Sequence, residues 1–300
     1  MMTETQGNMA VPGEEQGAVG PAAPGQSPDL CDMTTRGEGG MAFSSWNKRV
    51  VRRMEDWYLQ GLDMESLYKQ AIHELTETNA FILDAGAGKR CLYKRDGMRI
   101  VGVDILSPDL AENPDVRYAV ATDLSVAFPF RPHSFDAITA CYFVEHILDT
   151  ERFTRNAASV LKPGGKIFLL FPCRYAPFAI FNRIIPNRWT VRLLRRFLPE
   201  SHGGFPAKYE KCWPNGMRTV LERNGFRVIY ERVSHYQAFY CAAFLPLYLL
   251  CLAYDAMTRA SGIKALASSV IMVAEYIDNG RSMTGPQQRL NREEPCARSV

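Results

Sequence analysis

The sequence predicts an α/β fold, a mostly parallel seven-stranded sheet with helices on both faces and an antiparallel last strand. Three observations predict it. Short apolar runs alternate with segments of helical period between residues 78 and 276, the pattern of a sheet built from strand–helix–strand units. The first two runs, Phe81-Ile82-Leu83 and Arg99-Ile100-Val101-Gly102-Val103, each end on an acid, Asp84 and Asp104. The first also leads straight into Gly86 and Gly88, a bend where backbone can turn sharply and approach a ligand with no Cβ between.

Ahead of the sheet, Trp46, Val50, Met54 and Trp57 recur at helical spacing. Leu67, Tyr68, Ile72 and Leu75 do so again after a break at Gly61, with Asp63 as N-cap. Two helices with core-facing aromatics are expected there. After the glycine bend a short helix is expected at 89–94, its first N–H groups open to a ligand. Further strands are expected at 117–121, 137–142 and 166–171, with one helix beginning at Phe143 and another over 151–161. That second helix stops at Lys162-Pro163-Gly164-Gly165, which reads as a turn. A helix at 215–224, a strand at 226–233 and an antiparallel strand at 268–276 complete the sheet. In such a sheet the carboxyl ends of the parallel strands form one ligand-binding edge.

Residues 1–42 are rich in Gly, Pro, Ala and Gln, with no apolar period, and carry six acids against the single base Arg36. They read as a disordered tail without the basic start and apolar core of a secretory signal. Residues 280–300 read as a second tail, which leaves 43–279 as one domain. Beyond residue 42 there are 34 Lys and Arg against 26 Asp and Glu, a moderately basic balance that fits an anionic substrate, a membrane surface or nucleic acid. The eight cysteines are scattered, with no C-x-x-C pair and no metal spacing, so a cytoplasmic, reducing setting and no metal site are expected.

Four separated elements together resemble the class I S-adenosylmethionine-dependent methyltransferases of the bacterial small-molecule, methyltransferase-11-like type. They are Leu83-Asp84-Ala85-Gly86-Ala87-Gly88, Gly102-Val103-Asp104, Asp123-Leu124 with Phe128-Pro129-Phe130 and Ser134-Phe135-Asp136, and Leu161-Lys162-Pro163-Gly164-Gly165. The resemblance implies a Rossmann-like sheet and S-adenosyl-L-methionine as cofactor. It implies that Gly86 and Gly88 pass along the methionyl part, that Asp84 lies near its amino group, and that Asp104, followed by Ile105, holds the ribose hydroxyls. It further implies that Asp123 meets the adenine amine, Leu124 the ring, and Ala140 and Cys141 the region of the sulfonium. Where the family often has a third glycine, this chain has Arg90. An acid about 20 residues past a glycine bend is independently the position for a ribose partner.

A sulfonium methyl is already electrophilic, so placing a nucleophile in line supplies much of the catalysis. For a hydroxyl acceptor a base is needed, and His146 is the first candidate, with Tyr142 and His202 behind it. A His next to Glu145 at a helix start also reads as a simple capping pair.

Two excursions leave the cofactor edge. In 172–213, Arg188, Arg192, Arg195 and Arg196 share one helical side, and Trp189, Leu193 and Phe197 another. In 236–262, Ala238 to Tyr254 is seventeen residues without a charge, interrupted by Pro246, and reads as an interfacial helix, a greasy lid or a core-packing pair. The expectation is a small or amphiphilic acceptor, such as a lipid, a lipid-linked sugar or a quinone precursor, methylated at oxygen with peripheral contact at the inner membrane face. A nicotinamide-dependent oxidoreductase and a non-catalytic, cofactor-binding membrane adaptor are the competing readings. Nucleic acid is not expected as a partner, because no Asn/Asp-Pro-Pro-aromatic motif follows the fourth strand.

Overall fold

The computed structural model describes residues 49–55, 63–105, 107–184, 207–241 and 244–277. The two predicted tails, Trp46, Trp57, the four-arginine segment at 188–197 and His202 lie outside the described residues. Seven strands form one sheet: β1 Phe81–Ala85, β2 Arg99–Asp104, β3 Tyr118–Ala121, β4 Phe135–Cys141, β5 Leu161–Pro172, β6 Phe226–Ser234 and β7 Ser269–Tyr276. Their spatial order is β3-β2-β1-β4-β5-β7-β6. The first five run parallel, and β7 pairs antiparallel with both β5 and β6, giving the Rossmann-like sheet that the alternating pattern predicts.

Residues 49–55 form a first helix, α1. The remaining helices are α2 Met64–Leu75, α3 Ser107–Ala111, α4 Thr150–Val160, α5 Pro177–Ile184, α6 Pro214–Arg223 and α7 Leu245–Ser261. Alternation along each strand sends side chains to two separate cores. On one face Leu83, Ile138, Ile167, Leu169 and Met272 meet Phe153 and Ala157 of α4 and Met217 and Leu221 of α6. On the other, Ile82, Ile100, Phe168, Leu170 and Val273 meet Tyr68 and Ile72 of α2 together with Tyr93. A third cluster joins Val51 of α1 to Ala238, Tyr248 and Leu252, with Met54, Tyr236, Cys241 and Cys251 packed against it.

Several expected elements are corrected. No helix follows the glycine bend, and residues 86–98 run as turns. Partners distant in sequence claim this segment: the Cys91 N–H donates to the Asp115 carboxylate at 3.0 Å, and the Tyr93 ring is fully buried under the sheet. The Lys162–Gly165 stretch is a bulge inside β5 rather than a turn before it, since Phe135 pairs with Leu161 and Ala137 with Lys166. Helix formation at Phe143 reduces to a single 3-10 turn, Val144–His146. Pro246 does not interrupt the apolar stretch but starts α7 at its first turn, after a separate 3-10 turn at Ala238–Cys241.

Asp136 anchors the amino-terminal edge of the sheet, away from the presumed site. It accepts from Phe81 N at 2.8 Å and pairs with Lys162 Nζ at 2.5 Å. Tyr68 crosses from α2 into the sheet, where its hydroxyl donates to Phe168 O at 3.2 Å and accepts from Ala140 N at 3.1 Å. Tyr68→Phe strands both buried backbone groups, so it is expected to lower unfolding free energy by about 1–3 kcal/mol, measured by urea denaturation. An unchanged midpoint would show that the bridge contributes nothing.

Candidate active site

The tips of β1, β2 and β4 lie side by side, with Asp84 in register with Gly102 on one side and Thr139 on the other. Alternation puts Leu83 and Ala85 on the face covered by α4 and α6, so Asp84 shares the opposite face with Ile82. Its carboxylate accepts from Thr139 Oγ1 at 2.7 Å and from the Cys91 thiol at 3.0 Å, and Thr139 Oγ1 is 2.7 Å from the Tyr93 hydroxyl. These partners are all neutral. Burial pushes the Asp84 carboxyl up to about 6, opposed by the hydrogen bonds from Cys91 and Thr139. A group in that state favours a cationic ligand that would compensate its charge.

The glycine bend is tied to the tip of β2. Gly86 N and Ala87 N both donate to Val103 O, at 2.8 and 3.1 Å, and Gly88 N donates to the Asp104 carboxylate at 3.0 Å. Asn113 holds the bend from beneath, donating to Ala87 O at 3.1 Å and Gly88 O at 3.0 Å. Gly86 and Gly88 take φ values of +75° and +46°, in the left-handed region that side chains avoid. A Cβ on Gly86 would lie 2.7 Å from the Phe143 ring, whereas one on Gly88 would meet nothing within 4 Å. The bend is therefore walled by Phe143 on one side and open on the other, next to Asp104 and the exposed Ile105.

The remaining predicted positions differ in accessibility. One Asp123 oxygen accepts from Ser125 N at 2.8 Å and Ser125 Oγ at 2.6 Å, closing a turn directly after β3. Leu124 is buried in the larger core, so Ile105 and not Leu124 is the exposed apolar side chain at this part of the edge. Ala140 is fully buried and Cys141, at the end of β4, is half-buried. Tyr142 follows with φ +51°, its N–H donating to Leu170 O at 2.7 Å. A tyrosine in that conformation is strained and such positions gather at functional sites. Desolvation, then Cys141 and Glu65, push the Tyr142 phenol up, so its hydroxyl carries its proton at neutral pH.

The 3-10 turn at Val144–His146 presents two neighbours differently. His146 is partly exposed, whereas Glu145 is buried, with its Oε1 4.0 Å from His146 Nε2. Among the described residues Glu145 Oε2 has no hydrogen-bond partner, and burial pushes this carboxyl up to about 8. Lys208 N and Tyr209 N both donate to Glu145 O, at 2.7 and 3.0 Å, which fixes the turn. Asn113, Thr139 and Glu145 were not singled out as site residues from sequence. The first two act on partners 26 and 55 residues away, and the third sits next to a histidine that drew attention first.

A parallel sheet carrying a glycine bend after β1 and an acid at the tip of β2 is the arrangement in which a nucleoside-containing cofactor binds at the carboxyl edge. The comparisons name the class. Residues 83–169 match the family model described as a methyltransferase domain. The chain is 29% identical over 174 residues to a demethylmenaquinone methyltransferase of Thermus thermophilus, covering 51% of this chain and 76% of that protein. It is 27% identical over 166 residues to a 2-phytyl-1,4-naphtoquinone methyltransferase of Thermosynechococcus vestitus, covering 49% and 68%. A ubiquinone biosynthesis O-methyltransferase of Xanthomonas euvesicatoria pv. vesicatoria is 32% identical over 129 residues, covering 38% and 52%. These matches support a class I S-adenosylmethionine-dependent methyltransferase with S-adenosyl-L-methionine as cofactor, over the oxidoreductase reading. The residues present fit that group: a bend with glycine at two of its three positions, open at Gly88, runs beside an acid, and a neutral-partnered buried carboxyl suits a cationic cofactor.

Asp84 supplies a pH test with a definite sign. Its folded-state value is raised, so the native state holds a proton between about pH 4 and 6 that the unfolded chain has lost. Its contribution to stability is therefore present below that window and is lost as pH rises through it, by about 2–3 kcal/mol. Urea unfolding of Asp84→Asn and the parent should show the difference moving in the variant's favour by that amount between about pH 4 and 7. A pH-independent difference would contradict the buried-carboxyl assignment.

Proposed function

We propose that this methyltransferase delivers its methyl group in line to an oxygen of a small amphiphilic acceptor of the quinone-precursor or lipid class. One observation carries the acceptor class: beyond the Tyr248 and Leu252 that it packs inward, α7 leaves a row of large apolar side chains exposed. Its buried positions include the polar Asp255 and Thr258, while Leu247, Leu249, Leu250 and Met257 are exposed. Asp255 accepts from Gln237 N at 2.8 Å and Ala238 N at 2.9 Å, so the polar side is committed to holding the preceding 3-10 turn. On α5, Phe181 and Ile184 are likewise exposed. An apolar rim of this kind is suited to a greasy substrate or to peripheral contact with a lipid surface. Among the described residues no helix is long and apolar enough to cross a membrane. The similarity to a demethylmenaquinone methyltransferase, a 2-phytyl-1,4-naphtoquinone methyltransferase and a ubiquinone biosynthesis O-methyltransferase supports the same class.

Bound S-adenosylmethionine supplies the electrophilic methyl group. In this reading Asp104 and the Gly86–Gly88 bend hold the nucleoside and methionyl ends, with Asp123 at the adenine amine. Asp84 offers negative charge from below. In this reading the described parts of the two excursions, α5 and α7, border the acceptor side, where Cys141 and Tyr142 stand at the tip of β4. His146 takes the proton of the acceptor hydroxyl as that oxygen bonds to the methyl carbon and the carbon–sulfur bond breaks, and the buried Glu145, 4.0 Å away, helps to orient the imidazole. Tyr142 orients the acceptor by donating a hydrogen bond.

The test is transfer of label from methyl-labelled cofactor into fractionated cell extract, followed by counting of organic and aqueous phases. Label is expected in the organic phase, and His146→Asn should reduce it by about 10²-fold or more. Label confined to water-soluble products would refute the amphiphilic acceptor, and full activity of the variant would refute the role of His146.

A further inference from the structure

Apart from the cofactor edge, the third apolar cluster holds a pair of groups that the methyl-transfer reading does not use. Cys241 ends the 3-10 turn at Ala238–Cys241, and Cys251 lies on the second turn of α7. Both are unbonded thiols and both are half-buried, so small reagents reach them. The Cys251 thiol donates to Cys241 Sγ across 3.2 Å. A disulfide requires an Sγ–Sγ separation of about 2.05 Å, so the two sulfurs need approach by only about 1 Å. Burial, and next the neighbouring Cys251 thiol, push the Cys241 thiol up.

The surroundings make a link between them consequential. The cluster is a small roof assembled from α1, the 3-10 turn and α7, with Val51, Ala238, Tyr248 and Leu252 at its centre. Tyr236 fastens it to α1 through a 2.5 Å hydrogen bond to Glu55, and Asp255 fastens the turn to α7. Tyr240, adjacent to Cys241, stacks on Phe178 of α5 with ring centroids 4.8 Å apart and on Phe239 at 4.0 Å.

We propose that Cys241 and Cys251 are a modification site, a dithiol that a peroxide converts to a reversible intramolecular disulfide stapling the roof. One thiolate attacks the peroxide; an S–O bond forms, the O–O bond breaks, and water leaves after protonation. The second sulfur then attacks the resulting sulfenic acid, forming the S–S bond and releasing a second water. Two electrons pass from the two thiols to the peroxide, and both thiol protons end in water. A small-molecule dithiol reverses the link by exchange. In a reducing compartment such a bond is transient, which suits a sensor and not a structural brace.

The experiment treats the intact chain with limiting hydrogen peroxide, alkylates remaining thiols, and identifies cysteine-containing peptides by mass spectrometry without reduction. The expected product is one intramolecular Cys241–Cys251 peptide pair, with loss of alkylation at both positions and full recovery after dithiothreitol. Hydrogen exchange should slow at residues 238–241 and 245–261 in the linked form while β1 and β2 are unchanged. Cys241→Ser and Cys251→Ser should each leave the remaining cysteine as a sulfenic acid captured by dimedone. Retention of two alkylatable thiols, oxidation of either to sulfinic acid without a link, or a link between separate chains would overturn the proposal. None of these outcomes depends on which acceptor is methylated.

Discussion

The backbone carbonyl of Val103 is the point on which this site depends. It accepts from both Gly86 and Ala87, while the next residue, Asp104, accepts from Gly88 through its side chain. Those three bonds tie the bend after β1 to the tip of β2, so Asp104 and the glycine backbone cannot move independently. Asn113 closes the unit by engaging the two carbonyls of the bend. With no helix following, the bend lacks the usual helix N-terminus, and these hydrogen bonds hold its shape instead.

Beneath that unit the charge distribution is unusual in having no ionic partner for Asp84. Thr139 and the Cys91 thiol satisfy its oxygens without neutralising it, and burial leaves it near the neutral range. A carboxylate so placed costs stability when ionised and recovers it from a cation, which is what a sulfonium cofactor with an ammonium tail brings. Glu145 repeats the arrangement on the acceptor side, where a buried carboxyl with an unpaired oxygen stands behind a partly exposed histidine.

How much of this was legible in the sequence follows from the range of the interactions involved. Strands were readable because Phe81–Leu83, Arg99–Val103 and Lys166–Phe171 are apolar runs whose fate is decided locally by burial on both faces. The acid at Asp104 was readable because its role follows from its place at a strand end. The expected helix at 89–94 failed because Asp115, Asn113 and Thr139, none of them local, pull Cys91, the bend and Tyr93 into turns. The period of two along β1 puts Asp84 on the face of Ile82, and Asp123 spends one oxygen on its own turn, contacts that a reading of strand ends alone does not supply. Pro246 was read as an interruption because a proline inside an apolar stretch looks the same in sequence whether it breaks a helix or begins one.

The central claim is that the bend locked to β2 is where the cofactor binds. Calorimetric titration of the intact chain with S-adenosylmethionine, repeated on Asp104→Ala, examines it directly. The account predicts saturable one-to-one binding by the parent and an affinity loss of about tenfold or more in the variant. Equal affinity in the two proteins, or no saturable heat from the parent, would contradict it.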